Sequence, residues 1–125
     1  MNKQSTIDRM LRTGVIAILR TDDATQLLQV CDALLAGGVD AIEVTMTTPD
    51  ALSVIREATK KLGKKICMGV GTVLDETTAR MAMLAGAEYV VTPVMRPEVI
   101  ATCRRYRVPI ACGAMTPTEA LAAHE

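Results

Sequence analysis

Along this chain, short apolar runs alternate with longer stretches in which apolar residues recur at helical spacing. Val15 to Leu19 is an unbroken aliphatic run that closes on Arg20. Residues 40–47, Ile66 to Leu74, Tyr89 to Pro93 and Val108 to Cys112 read as four further strands. Between them, Leu27, Cys31, Leu34 and Leu35 share one helical face, and Leu52, Ile55, Ala58 and Leu62 share another. A further helix runs from an Asp75 cap through Leu84, and another opens at Arg96-Pro97-Glu98 and carries Val99, Ile100, Cys103 and Tyr106. The punctuation agrees. Ser5-Thr6-Ile7-Asp8 caps a short first helix that passes through Arg12 and ends at Gly14. Thr21-Asp22-Asp23 supplies caps for the next helix, and Thr48-Pro49 reads as an N-cap with Pro at the first helical position. Gly37-Gly38, Gly63 and Gly86 are stops, and Thr116-Pro117-Thr118-Glu119 is a capping box. Strands therefore start at intervals of roughly 20–26 residues with a helix after each, which predicts parallel strands joined by right-handed crossovers.

The stretch Asp40 to Asp50 carries the most chemistry. Ile42, Val44 and Met46 lie on one side of the predicted strand, while Ala41, Glu43, Thr45 and Thr47 lie on the other. One face is fit for helix packing, and the other sends a carboxylate and hydroxyls into an enclosed space. A buried, unpaired Glu costs several kcal/mol, so Glu43 has an ion partner, a water or a chemical role. The Gly69-Val70-Gly71-Thr72 tract predicts a close backbone approach at the end of the third strand.

Two α/β architectures accommodate such a repeat, an open doubly wound sheet and a (β/α)8 barrel of the TIM type. No G-x-G-x-x-G opens a helix, which weakens a nucleotide-binding reading. Polar residues at successive strand ends (Arg20, Glu43, Thr47, Thr72 and Thr92) fit the active face of a barrel. A complete barrel takes ~200 residues or more. Residues 1–125 are thus expected to form a single partial-barrel domain of about five βα units.

Composition narrows the partners. Fourteen basic residues balance fourteen acidic ones, half the chain is hydrophobic, and Tyr89 and Tyr106 are the only aromatics. No basic stripe or stacking platform points to nucleic acid, and no apolar run approaches the ~20 residues that span a bilayer. The first residues do not read as a secretory signal. Cys31, Cys67, Cys103 and Cys112 form no C-x-x-C, and His124 is the sole histidine, so neither a metal nor another cofactor is expected. The cysteines read as buried reduced thiols of a cytoplasmic protein.

Five segments occur in order and register: Gly14 to Arg20, Gly37 to Thr45, Gly69 to Leu74, Ala85 to Pro93, and Gly113 to Ala120. Together they resemble the 2-keto-3-deoxy-6-phosphogluconate (KDPG)/4-hydroxy-2-oxoglutarate (KHG) aldolases, class I enzymes on a (β/α)8 barrel. The resemblance implies cleavage of a 2-keto-4-hydroxy acid to pyruvate and an aldehyde through a lysine Schiff base, without metal. It implies that Glu43 is the general acid/base, that Thr72 binds the pyruvate carboxylate, and that Pro93 lines the site. Where some members carry a substrate-binding Arg, this chain has Thr47, and Arg20 is the expected replacement. The resemblance further implies a homotrimer for the complete enzyme.

In such enzymes the Schiff-base lysine lies on the sixth strand. Lys3, Lys60, Lys61, Lys64 and Lys65 fall at no strand's carboxyl end. The chain is therefore expected to correspond to the N-terminal five-eighths of the barrel, to lack turnover alone, and to expose open sheet edges. Two alternatives stay open: another phosphate-binding barrel enzyme using Glu43 as a base, and a non-catalytic half-barrel or assembly module.

Overall fold

The computed structural model describes residues 3–21 and 23–125. Its elements are α1 (Lys3–Thr13), β1 (Ile16–Leu19), α2 (Ala24–Ala36), β2 (Ala41–Thr45), α3 (Ala51–Leu62), β3 (Cys67–Gly71), α4 (Glu76–Ala85), β4 (Tyr89–Thr92), α5 (Pro97–Tyr106), β5 (Ile110–Cys112) and α6 (Pro117–His124). A short 3-10 turn, Gly63–Lys65, leads into β3. All five strands are parallel and lie in sequence order, β1-β2-β3-β4-β5. A doubly wound sheet reverses its order partway along, whereas unbroken order is the pattern of a barrel wall.

The two faces of the sheet differ as the alternation predicts. Ile42, Val44, Met68, Val70 and Val90 point outward and pack with Leu27, Cys31, Ile55, Ala58, Ala82 and Val99 from the helices. Burying each large aliphatic stabilises by about 1.5–3 kcal/mol, so this layer is the main source of stability. The inner face holds a smaller cluster of Ala41, Cys67 and Tyr89, flanked by Met10, Ile16 and Val91. Helix α1 closes the amino-terminal end of this face. Arg9 donates to Asp40 (2.8 Å), to the Ile66 carbonyl (2.9 Å) and to the Lys65 carbonyl, and Thr13 also donates to Asp40. Burial alone would raise the Asp40 carboxyl, but the Thr13 and Arg9 hydrogen bonds and the charges of Arg9 and Arg12 outweigh it and hold the group below its usual range.

Several expectations are corrected. Pro49 is not the first residue of a helix: α3 starts at Ala51 behind Asp50, which adopts the left-handed region at φ 51°. Thr48 closes a turn instead, and its N–H donates to the Thr45 carbonyl. The third strand ends at Gly71 rather than Leu74, because Thr72 takes φ 57° and breaks the ladder. The first and fifth strands are shorter than their aliphatic runs, with Val15 and Val108 outside them. Tyr106 is 44 % exposed, and Cys112 is only half-buried. In the cap before α2, Asp23 accepts from the Thr25 N–H, while Asp22 lies outside the described residues. The caps at Asp75 and the Thr116–Glu119 box form as predicted.

Candidate functional site

Glu43 is the middle residue of β2, on the inner face, and only 4 % exposed. The third strand makes room for it. A Cβ added at Gly71 would stand 2.6 Å from Glu43 Cδ and 3.1 Å from Cγ, and closer still to Oε1, so the carboxylate rests in a seat that only glycine leaves open. Among the described residues the carboxylate accepts no hydrogen bond. Burial pushes its pKa up from the ordinary value, opposed by the charge of Arg20. A carboxyl so placed is suited to taking up and returning protons.

Arg20 follows the last residue of β1, and its side chain is exposed at the carboxyl end of the sheet. Since Ile18 pairs with Glu43, Arg20 stands two positions further along, at the mouth of the space that Glu43 faces. Thr72 comes directly after Gly71, half-buried, in a left-handed conformation that is an outlier for a β-branched residue. Thr47 is exposed and its hydroxyl lies 2.8 Å from that of Thr45, which is buried on the Glu43 face. Pro93 is exposed just past β4, and its carbonyl crowds Gly113, where a Cβ would come within 2.8 Å of Val94 N. Arg20, Thr47, Thr72 and Pro93 therefore lie just past the carboxyl-terminal ends of β1–β4, and Glu43 at the middle of β2. Of these, Arg20 acts electrostatically on Glu43.

Lys60 and Lys61 occupy the last turn of α3, and Lys64 and Lys65 the turn before β3, all at the opposite end of the sheet from this mouth. Lys3 starts α1. Burial pushes the Cys67 thiol up to about 12 and those of Cys31 and Cys103 up to about 11, so these thiols stay protonated packing groups. Among the described residues, no three His, Cys, Asp or Glu side chains gather to hold a metal, and no helix is long and apolar enough to cross a membrane.

Among the described residues three buried hydroxyls have no hydrogen-bond partner, those of Thr48, Thr59 and Tyr89, and the sequence pattern singles out none of them as such. That pattern reads Thr48 as a cap and Tyr89 as a strand residue. Nothing local marks Tyr89: it is the register that sets positions 43 and 89 on either side of Gly69, which has no side chain.

A parallel in-order sheet with helices outside and a carboxylate inside defines a segment of a (β/α) barrel with a buried acidic side chain on its inner face. The sequence profile of the KDPG and KHG aldolases matches residues 7–125. A 2-dehydro-3-deoxy-phosphogluconate aldolase of Pseudomonas aeruginosa is 32% identical over 123 residues, covering 98% of this chain and 56% of the relative. A probable 2-dehydro-3-deoxy-6-phosphogalactonate aldolase of Rhizobium meliloti is 38% identical over 111 residues, covering 87% of this chain and 51% of the relative. The crystal structure of the 2-keto-3-deoxy-6-phosphogluconate aldolase of Zymomonas mobilis ZM4 with 3-phosphoglycerate superposes with TM-score 0.85 at 25% identity, covering 98% of this chain and 59% of that one. This chain belongs to the KDPG and KHG aldolase family. It spans about half the length of the curated relatives it matches.

Proposed function

We propose that these residues form the proton-transfer side of a class I pyruvate aldolase, which cleaves KDPG or KHG to pyruvate and an aldehyde. The observation that carries this reading is the Glu43 carboxylate, buried on the inner face with a raised pKa and seated over Gly71. In the reaction, a lysine amine condenses with the substrate's C2 ketone. The C3–C4 bond then breaks, its electron pair moves toward the iminium, and the C4 hydroxyl proton leaves as the aldehyde forms. Glu43 takes that proton through a water, returns one to C3 of the enamine, and assists hydrolysis of the pyruvate adduct. Arg20 supplies the positive charge for the substrate carboxylate, with Thr72 as a second donor. Thr47 and Pro93 wall the pyruvate end.

The amine comes from strands outside these 125 residues, since Lys3, Lys60, Lys61, Lys64 and Lys65 all lie away from the mouth. The chain alone is therefore proposed to be inactive, and the complete enzyme to be a cytoplasmic trimer. The test is borohydride trapping with pyruvate, followed by mass mapping. The chain alone should give no adduct. A fusion to the C-terminal remainder of the P. aeruginosa relative should give one adduct, on a lysine of the added part. Glu43→Gln in that fusion should lower kcat by about 10²–10⁴-fold. An adduct on any of the chain's own lysines, or full activity of the Glu43→Gln fusion, would overturn this reading.

A further inference from the structure

Tyr89 opens β4 with its side chain on the inner face, and it is 1 % exposed. Its ring lies across Gly69 of β3. A Cβ there would stand 2.6 Å from Tyr89 Cε1 and closer still to Cε2 and Cζ. Gly69 is the register partner of Glu43 on one side and of Tyr89 on the other. Glu43 and Tyr89 thus flank Gly69 in one row of the sheet, with the ring leaning over Gly69 and the carboxylate over Gly71, where side chains are missing. The ring packs in the cluster of Ala41 and Cys67. Its hydroxyl is buried and has no hydrogen-bond partner among the described residues. The Glu43 carboxylate across the row has no donor among the described residues.

A purely space-filling aromatic at this position gains nothing from a hydroxyl. Phe would fill the same volume without an unsatisfied polar group, so the orphaned O–H calls for a partner in the working site. The charged and titratable groups around the pair are few. Glu43 meets Arg20 from the end of β1 and Tyr89 from β4. Tyr89 meets Cys67 of β3 and Glu88 just before β4, with Arg9 of α1 acting on both of those. Burial first, and then the Glu43 charge ahead of Cys67 and Glu88, push the phenol's ionisation far above its usual range, so it stays an O–H donor. Of the ionisable groups around the phenol, Glu43 weighs most on it.

We propose that Tyr89 is a positioning residue for Glu43: in the working site its hydroxyl turns to donate to the carboxylate and holds it over Gly71. This deepens the aldolase reading and rests on Glu43 being its acid/base. A donor to the charged form favours ionisation, so removing it raises the Glu43 pKa.

The test is a carboxyl ¹³C NMR titration of Glu43 in the 125-residue chain, wild type against Tyr89→Phe, with thermal unfolding measured alongside. Tyr89→Phe should lower the Glu43 ionisation constant by about three- to tenfold. Its Tm should fall slightly near neutrality, where Glu43 is charged in the unfolded chain, and match wild type in acid, where Glu43 is protonated in both states. Val91→Ala, a volume change on the same inner face without loss of a donor, should leave Glu43 where it is. An unmoved Glu43 in Tyr89→Phe, an equal shift in Val91→Ala, or loss of the fold in Tyr89→Phe would each overturn the proposal. The last would mean that the hydroxyl is bonded within the core. Borohydride trapping in the fusion protein is read separately. An adduct without a titration change removes only the Tyr89 role, and a titration change without an adduct removes the aldolase reading while Tyr89 and Glu43 remain coupled.

Discussion

Adding a single methyl group to the third strand at Gly69 or at Gly71 should produce two different failures. Neither glycine has a positive φ, so Ala fits the backbone at both and narrows the unfolded ensemble by about 0.4–1 kcal/mol. The difference lies in what each methyl meets. At Gly71 the obstacle is the end of a flexible side chain, with Glu43 Cδ at 2.6 Å, and rotating Glu43 relieves the overlap. At Gly69 the obstacle is an aromatic ring that is 1 % exposed and wedged among Ala41, Cys67, Met10 and Ile16, with three ring atoms at 2.6 Å or closer. Overpacking costs about 1–3 kcal/mol, occasionally more, and the rigid obstacle belongs at the upper end. Gly69→Ala should therefore lose about 3 kcal/mol in urea unfolding, and Gly71→Ala about 1 kcal/mol or less. Function should rank the other way. In the fusion protein, Gly71→Ala evicts the carboxylate and should approach the deficit of Glu43→Gln, whereas any Gly69→Ala protein that folds should retain more activity. If Gly71→Ala is the more destabilising, or if it leaves the Glu43 titration unchanged, the inner-face placement of the carboxylate is wrong.

Other substitutions probe the same site. The raised pKa of Glu43 means that the fold favours its protonated form, so its contribution to stability is greatest below the ordinary value of 4.5 and is lost as pH rises through the folded value. Glu43→Gln should accordingly unfold at higher urea than wild type near neutrality, with the gap closing in acid; a gap that persists in acid would contradict this. Arg20→Ala should raise the Glu43 pKa further, since Arg20 is the charge that lowers it. The same change should raise the KM of the fusion for its keto acid by about 10–100-fold, the worth of a hydrogen bond to a charged group; unchanged values would remove Arg20 from the site. Thr72→Gly relieves a left-handed β-branched residue at φ 57°. It should gain about 1 kcal/mol while weakening keto-acid binding, and a loss of stability would show that the hydroxyl supports the fold.

Much of this site is written in local chemistry. The parity of Ile42, Glu43 and Val44, a property of neighbouring residues, places the carboxylate on the inner face; the Gly69-x-Gly71 pair announces a close approach to β3, but of the Tyr89 and Glu43 side chains rather than the backbone expected. The Asp75 cap and the Thr116–Glu119 box are local in the same sense, and both form. What stayed hidden depends on partners far along the chain. Thr48-Pro49 carries every mark of a helix start, yet Asp50 takes that place in a left-handed conformation while Thr48 closes the turn after β2. No local rule ties Arg9 to Asp40 and to carbonyls 56 and 57 residues away. Tyr89 reads as an ordinary strand aromatic until the register sets it across Gly69 from Glu43. The identity of what approaches the two glycines was a matter of register, which the periodicity of single strands does not contain.

The most direct test is exchange of the pyruvate methyl protons for deuterium, followed by ¹H NMR on the fusion protein, because that step needs a base at C3 and nothing from the aldehyde half of the substrate. The wild-type fusion should exchange readily. The Glu43→Gln fusion should form the same borohydride-trapped adduct yet exchange about 10²–10⁴-fold more slowly. Undiminished exchange in Glu43→Gln, with the adduct intact, would show that the proton is moved by some other group and that the buried carboxylate of β2 is not the base.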